Sequence, residues 1–261
     1  MITNYYLNNV EVSGRLGNNL FQIAMLVGLK EKFNCNYFIP GWRNSKDFKR
    51  VIINPNINVK PLKTYLEPKF SYTEIKDIGD TSGDVIDFRG FFQSEKYFKH
   101  CKKSIIDTFE FNVQIELEAN MFLRDLFLDP KDTVAVHIRR GDYLLKQDYH
   151  TNLLDSTSYY IEAMKFFKKE GKKFLIFSDD IEYCKRVFYG LDDIYYSDQF
   201  GEVGDLCTMS LCSNFIIANS SYSWWGAYLS KDPKKTVIAP KRWFETNIDT
   251  NDLIPKEWLI I

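Results

Sequence analysis

From residue 133 onward the chain repeats one pattern: a short apolar run, a polar turn, then a helical segment. The apolar runs fit strands at Val134–Ile138, Phe174–Phe177, Ile194–Tyr196, Phe215–Ala218 and Val237–Ala239. Between them, the spacing of apolar side chains fits helices at Tyr159–Lys169, Ile181–Phe188, Glu202–Cys212 and Tyr222–Leu229. Strands this apolar need cover on both faces, which confines the segment to a parallel, doubly wound α/β sheet. Ligands of such sheets bind outside the carboxyl ends of the strands. Three polar clusters fall there: His137 to Asp142, Ser178-Asp179-Asp180, and Asn219-Ser220-Ser221-Tyr222-Ser223.

The first half is less regular. Val10 and Val12 read as a short strand, followed by Gly14-Arg-Leu-Gly-Asn-Asn-Leu-Phe-Gln22 and a helix through Leu20, Ile23, Ala24, Val27 and Leu29. A strand, a glycine-containing turn and a helix can cradle a phosphate. The spacing is neither of the common nucleotide-binding patterns, and Asn18 or Asn19 can equally be a helix N-cap. Tyr37–Ile39 and Val85–Phe91 read as further strands, Ser94 as the cap of another helix, and Val113–Leu128 as a helix. Between Gly41 and Gly83, prolines 55, 61 and 68 break the pattern into the kind of irregular stretch that often forms a binding surface. Asp129-Pro130 is the expected seam, giving an N-terminal α/β domain, 1–130, and a C-terminal α/β domain, 131–261, facing each other across a cleft.

Charge narrows the ligand. The net charge is -1, which excludes a general nucleic-acid binder, so any basic feature is local. Arg139 and Arg140 are adjacent at a strand end, where unpaired guanidiniums are costly. Either carboxylates of the protein meet them, or the phosphates of a ligand do. Ser220, Ser221 and the amides of the helix behind them can also take phosphate oxygens, and carboxylates can take ribose hydroxyls or the N–H edge of guanine. Ser178-Asp179-Asp180 and Ser220-Ser221 can also be ordinary helix caps, and Trp224-Trp225 ordinary core. Residue chemistry alone reaches a phosphorylated nucleotide. The five cysteines have neither paired nor zinc-ligand spacing and read as reduced thiols. With no signal-like start and no long apolar run, the expected location is cytoplasmic, with at most peripheral membrane association.

His137-Ile-Arg-Arg-Gly-Asp-Tyr143 resembles the first motif of the α-1,2-fucosyltransferases, glycosyltransferase family 11. Four further segments resemble the same family in the same order: Gly14–Ala24, Gly90–Phe98, Phe177–Asp180 and Ala218–Ala227. Asn19 stands where the family usually has Gln, and Arg15 where it often has Gly, as in the related protein O-fucosyltransferases. The resemblance implies a GT-B-like fold of two Rossmann-like domains and inverting, metal-independent transfer of L-fucose from GDP-L-fucose to a galactoside hydroxyl of a glycan precursor. It implies no cofactor; the donor is a substrate. By the same resemblance, Arg139 and His137 lie at the donor pyrophosphate, with Arg140 second or structural. Asn18, with Gly17 beside it, lies between donor and acceptor, and Asp205, Ser220 and Ser221 lie near guanine and phosphate. Ser178, Asp179, Asp180, Asn219 and Ser223 join the donor side, and Asp142 is the candidate general base. Acceptor choice is expected within 41–83. The alternatives are a GDP-sugar-binding homologue without activity and the same chemistry with another GDP-deoxysugar, such as GDP-colitose. The oligomeric state is not legible.

Overall fold

The computed structural model describes residues 1–51, 53–55, 61–79, 84–145, 148–198 and 200–261. The chain forms two compact units, Met1–Asn112 with Asp249–Pro255, and Val113–Ile248 with Lys256–Ile261.

The first unit holds β1 (Ile2–Thr3), α1 (Val10–Ser13), α2 (Leu16–Phe33), β2 (Tyr37–Phe38), β3 (Lys63–Leu66), β4 (Ile86–Arg89) and α3 (Lys102–Thr108). Its strands form one parallel sheet in the order β2-β1-β4-β3. From Leu16 to Leu29, α2 is buried at nearly every position, as expected of a helix apolar all round.

Three expectations fail here. Val10 and Val12 are helical, because Asn9 accepts hydrogen bonds from the amides of Glu11 and Val12 and so starts α1. Neither Asn18 nor Asn19 caps α2; Arg15 occupies that position and the two asparagines lie in the first turn. The stretch between Gly41 and Gly83 contains β3, an edge strand pairing Lys63–Leu66 with Ile86–Arg89. Residues 52, 56–60 and 80–83 of that stretch lie outside the described residues. Ser94 does act as a cap, accepting from the Lys96 amide, but of a short 3₁₀ turn, Glu95–Tyr97.

The second unit holds α4 (Val113–Asp125), β5 (Thr133–Ile138), α5 (Leu153–Ser156), α6 (Tyr159–Lys168), β6 (Lys173–Ser178), α7 (Ile181–Val187), β7 (Ile194–Ser197), α8 (Gly201–Leu211), β8 (Asn214–Ile216), α9 (Ser221–Leu229), β9 (Thr236–Ala239) and β10 (Leu259–Ile260). Its sheet is parallel throughout, in the order β10-β9-β8-β5-β6-β7. The chain runs outward from β5 to β7, then returns through α8 to resume at β8 on the other side of β5. That reversal is a topological switch point, where the diverging crossovers leave a crevice. All six residues of β5 are buried. Val134, Val136 and Ile138 pack with Tyr160, Ala163 and Phe167 of α6, while Ala135 and His137 point to the opposite face.

The seam expected at 130/131 is not where the units divide. Helix α4 packs along α8 in the second unit, with the Phe122 and Phe200 rings 4.7 Å apart. Asp249–Pro255 belongs with the first unit, where the Ser94 hydroxyl donates to the Asp252 carbonyl at 2.7 Å.

Candidate active site

The carboxyl ends of β5, β6 and β8 bring the three polar clusters together. Leaving β5, the chain exposes the Arg140 amide, which donates to Asp179 Oδ1 at 2.9 Å. Gly141 follows, and a Cβ there would strike Asp179 Oδ2, so a side chain at this position would push that carboxylate aside. The Tyr143 hydroxyl donates to the Asn219 carbonyl at 3.0 Å, tying the β5 turn to the β8 turn.

Both arginines are met by protein carboxylates. Arg139 Nη2 lies 2.5 Å from Asp142 Oδ1, and its Nη1 lies 2.8 Å from Asp179 Oδ2. Arg140 Nη1 lies 2.5 Å from Asp155 Oδ2, and its Nε lies 3.2 Å from Asp180 Oδ2. The Arg140 guanidinium also stacks 3.4 Å over the Tyr183 ring. Four carboxylates therefore compensate two guanidiniums, and burial of the pair does not require a ligand anion. The two arginines then differ in what remains. Arg140 is clamped on three sides with its side chain 7% exposed, which is an anchor for α5 and α7. Arg139 is 16% exposed, and after one N–H to each aspartate it retains three more donors in a fixed plane. Such a guanidinium is oriented for an incoming oxyanion.

Asp142, the candidate base, is paired through Oδ1 with Arg139, so it also orients that guanidinium. His137 is buried, and desolvation, with Arg139 nearby, depresses its pKa to about 3, so the imidazole is neutral at any working pH. Its Nδ1 is buried without a hydrogen-bond partner, and its ring lies 5.2 Å from that of Tyr222. His137 thus offers neither charge nor an accessible Nδ1 to a pyrophosphate.

Several of the expected donor-site residues already have partners within the protein. Asn219 gives both amide hydrogens to the carbonyls of Thr151 (3.0 Å) and Trp243 (2.9 Å). Ser223 Oγ accepts from the Ala218 amide and donates to the Ser220 carbonyl. Ser178 Oγ accepts from the Asp180 amide, and Asp180 caps α7 through the Tyr183 amide. Ser220 is the N-cap of α9, accepting from the Tyr222 amide at 3.3 Å. Ser221 opens that helix and is half-buried. Trp224 and Trp225 are fully buried core.

Asp205 on α8 keeps the character expected of a recognition carboxylate. Desolvation raises its pKa from 3.8 to about 6, partly offset by the Ser197 hydroxyl, which donates to it at 2.5 Å. Tyr222 links α9 back to α8 by donating to the Glu202 carbonyl, bringing Asp205 near the α9 N-terminus.

In the first unit, Gly17 is buried in the first turn of α2. Asn18 folds over Gly14, where a Cβ would strike its Nδ2, and its Oδ1 accepts from Gln93 Nε2 at 2.7 Å. Asn19 is structural: it accepts from Trp42 Nε1 at 3.1 Å and donates to the Ser13 carbonyl. Gln22 bridges the carbonyls of Ser13 and Gly90.

Asp155, Tyr183 and Glu67 went unmarked in the sequence. The first two lie 15 and 43 positions from Arg140 with no motif around them, so only the fold reveals the partnership. No group of three or more His, Cys, Asp or Glu residues suited to a metal occurs among the described residues. No described helix is long and apolar enough to cross a membrane.

The model of the family Glycosyl transferase family 11 matches residues 2–261. An alpha-1,2-colitosyltransferase of Escherichia coli is 33% identical, over 96% of this chain and 97% of its own length. A galactoside alpha-(1,2)-fucosyltransferase 1 of Ateles belzebuth is 26% identical, over 83% of this chain and 63% of its own length. Among solved structures, POFUT1 in complex with GDP-fucose has a TM-score of 0.58 at 13% identity, covering 91% of this chain and 96% of its own. NodZ alpha-1,6-fucosyltransferase co-crystallized with GDP has a TM-score of 0.52 at 12% identity, covering 80% and 87%. At that identity the structures speak for the fold, and it is the GT-B-like α/β fold expected above.

Proposed function

We propose, from the premise that the chain belongs to glycosyl transferase family 11, that it transfers a 6-deoxyhexose from a GDP-sugar to a galactoside hydroxyl, forming an α-1,2 linkage with inversion. The observation that carries this reading is Arg139, held in plane by Asp142 and Asp179 at the sheet's switch point with three donors to spare. The bond that breaks, between the anomeric carbon and the β-phosphate oxygen, leaves a further negative charge on the departing diphosphate. Preorganised donors aimed at such charge stabilise the transition state more than water can. Arg139 supplies one set, and the first-turn amides of α9 behind Ser220 and Ser221 supply another. Asp205, when ionised, accepts from guanine N–H groups; its carboxyl near 6 makes donor affinity climb with pH through that value. The reaction needs no metal and runs on the cytoplasmic side, where nucleotide sugars are made.

L-Fucose is the donor sugar favoured by the galactoside fucosyltransferases among the relatives. The second reading, GDP-colitose, is favoured by the 33% identity to the colitosyltransferase along nearly the whole chain. Colitose is fucose without its 3-hydroxyl. A site that hydrogen-bonds that hydroxyl rejects the deoxy analogue by roughly 10⁴-fold, whereas a site shaped for the deoxy sugar rejects the extra hydroxyl only about 10²-fold. Transfer from both donors to a panel of β-galactosides, read by mass spectrometry, decides between them. Arg139→Ala is expected to lower kcat about 10²–10³-fold. Near-normal turnover in that variant, or GDP binding without transfer to any acceptor, overturns the reading.

A further inference from the structure

Glu67 follows β3 at the carboxyl end of the first unit's sheet, beside the turn that leaves β4. Its carboxylate is held by backbone alone. Oε2 accepts from the Phe91 amide at 2.7 Å and the Phe92 amide at 3.1 Å, while Oε1 accepts only from Phe92 at 3.0 Å. A carboxylate oxygen has two lone pairs, so Oε1 keeps one unused. The turn is shaped around this group. Gly90 has φ +152°, a region L side chains avoid, and a Cβ there would strike the Glu67 side chain. The turn continues through the exposed Phe91 ring to Gln93, whose amide reaches Asn18. No cation lies within ion-pair distance of Glu67 among the described residues. Arg89, whose carbonyl accepts the Glu67 amide at 2.8 Å, turns its own side chain to Asp87 and the Tyr6 ring.

A half-buried carboxylate with a spare lone pair and no cation, next to an exposed ring at a parallel sheet's carboxyl edge, suits a neutral polyhydroxyl ligand. Hydroxyls donate to the carboxylate and the ring packs on the C–H face of a sugar. Deepening the transfer reading above, we propose that this edge binds the acceptor galactoside, with Glu67 Oε1 accepting a hydrogen bond from one of its hydroxyls. Desolvation raises the Glu67 pKa from 4.5 to about 7 against the pull of the two amides. The other titratable groups beside it, Tyr65 on β3 and Tyr97 of the 3₁₀ turn, have their pKa values raised, so both stay neutral across this range. The titration near neutrality is therefore that of Glu67.

The test is lactose binding to the whole protein without donor, followed by NMR titration at pH 6 and pH 8. The ionised fraction of a group with pKa near 7 changes about tenfold across that interval, so wild-type affinity is expected to rise by up to that factor. Glu67→Gln, confirmed folded by its melting temperature, is expected to bind several-fold more weakly at pH 8 and to show no pH dependence. An unchanged affinity in Glu67→Gln, an unchanged pH dependence, or no lactose binding by the wild type each overturns the site. The transfer reading fails separately: an enzyme that transfers normally while Glu67→Gln leaves the acceptor KM and its pH profile unmoved keeps its function and loses this site.

Discussion

At the residue scale, the adjacent arginines show how one dipeptide divides two tasks. Arg140 is an anchor, and its loss strands Asp155 and Asp180 next to each other. Removing one partner of a buried ion pair costs ~3–5 kcal/mol, and with both carboxylates about a third exposed the cost is nearer ~2 kcal/mol. Arg140→Ala is therefore expected to lower the unfolding free energy by that amount, seen as a lower urea midpoint with no change in slope. Asp205 acts on stability in the opposite sense. Its folded pKa, about 6, exceeds its usual 3.8, so between those values the folded chain binds more protons than the unfolded one. Stability from this group is fully present below the lower value and is lost as pH rises through the upper one. Asp205→Asn should thus leave stability unchanged at the most acidic pH and raise it by about 1–2 kcal/mol at pH 8, discounted from ~1.4 kcal/mol per pKa unit because the side chain keeps some contact with solvent. Urea titrations at several pH values measure this. GDP affinity should fall in the same variant, which separates recognition from support.

At the element scale, α2 is the part whose packing is least forgiving. Gly28 sits against the Tyr97 carbonyl, which a Cβ would strike, and the Gly28 carbonyl lies 3.1 Å from His100 Nε2. Helix propensity alone favours Ala over Gly by about 1 kcal/mol. Overpacking against backbone costs ~1–3 kcal/mol, and here the obstructing atom is a carbonyl oxygen that cannot rotate away. Packing should win, so Gly28→Ala is expected to be net destabilising by about 1–2 kcal/mol in chemical denaturation; a gain in stability would show that the Tyr97 turn yields. The five strands from β5 to β9 and the helices α6 to α9 were legible to within a residue or two, because burial on both faces writes an apolar run into β5 and β6, whereas the four-residue α5 and the exposed two-residue β10 were not. Strand β3 was not legible. It is an edge strand, mostly exposed, and Lys63-Thr-Tyr-Leu66 carries neither alternation nor an apolar run. Helix α1 was misread because four residues are too few to show a period, and the deciding signal was one cap, Asn9.

At the scale of the whole molecule, two parallel sheets on one chain place recognition groups at strand ends and leave the core apolar. A donor nucleotide that binds only the folded protein stabilises it by ~2.7 kcal/mol at a hundredfold excess over its Kd. A GDP-dependent rise in melting temperature is expected, and EDTA should alter neither that shift nor turnover; abolition by EDTA would require a metal.

The order and type of the second unit's elements, the switch-point cluster and the family motifs were set locally. Each depends on residues within a few positions of one another. The pairing of Arg140 with Asp155 and Asp180, the withdrawal of Asn219 and Ser223 into internal hydrogen bonds, and the isolation of Glu67 among amides were decided only by the fold. Electrostatic and hydrogen-bond partners are fixed by distance in space, and here the partners lie up to tens of residues apart along the chain.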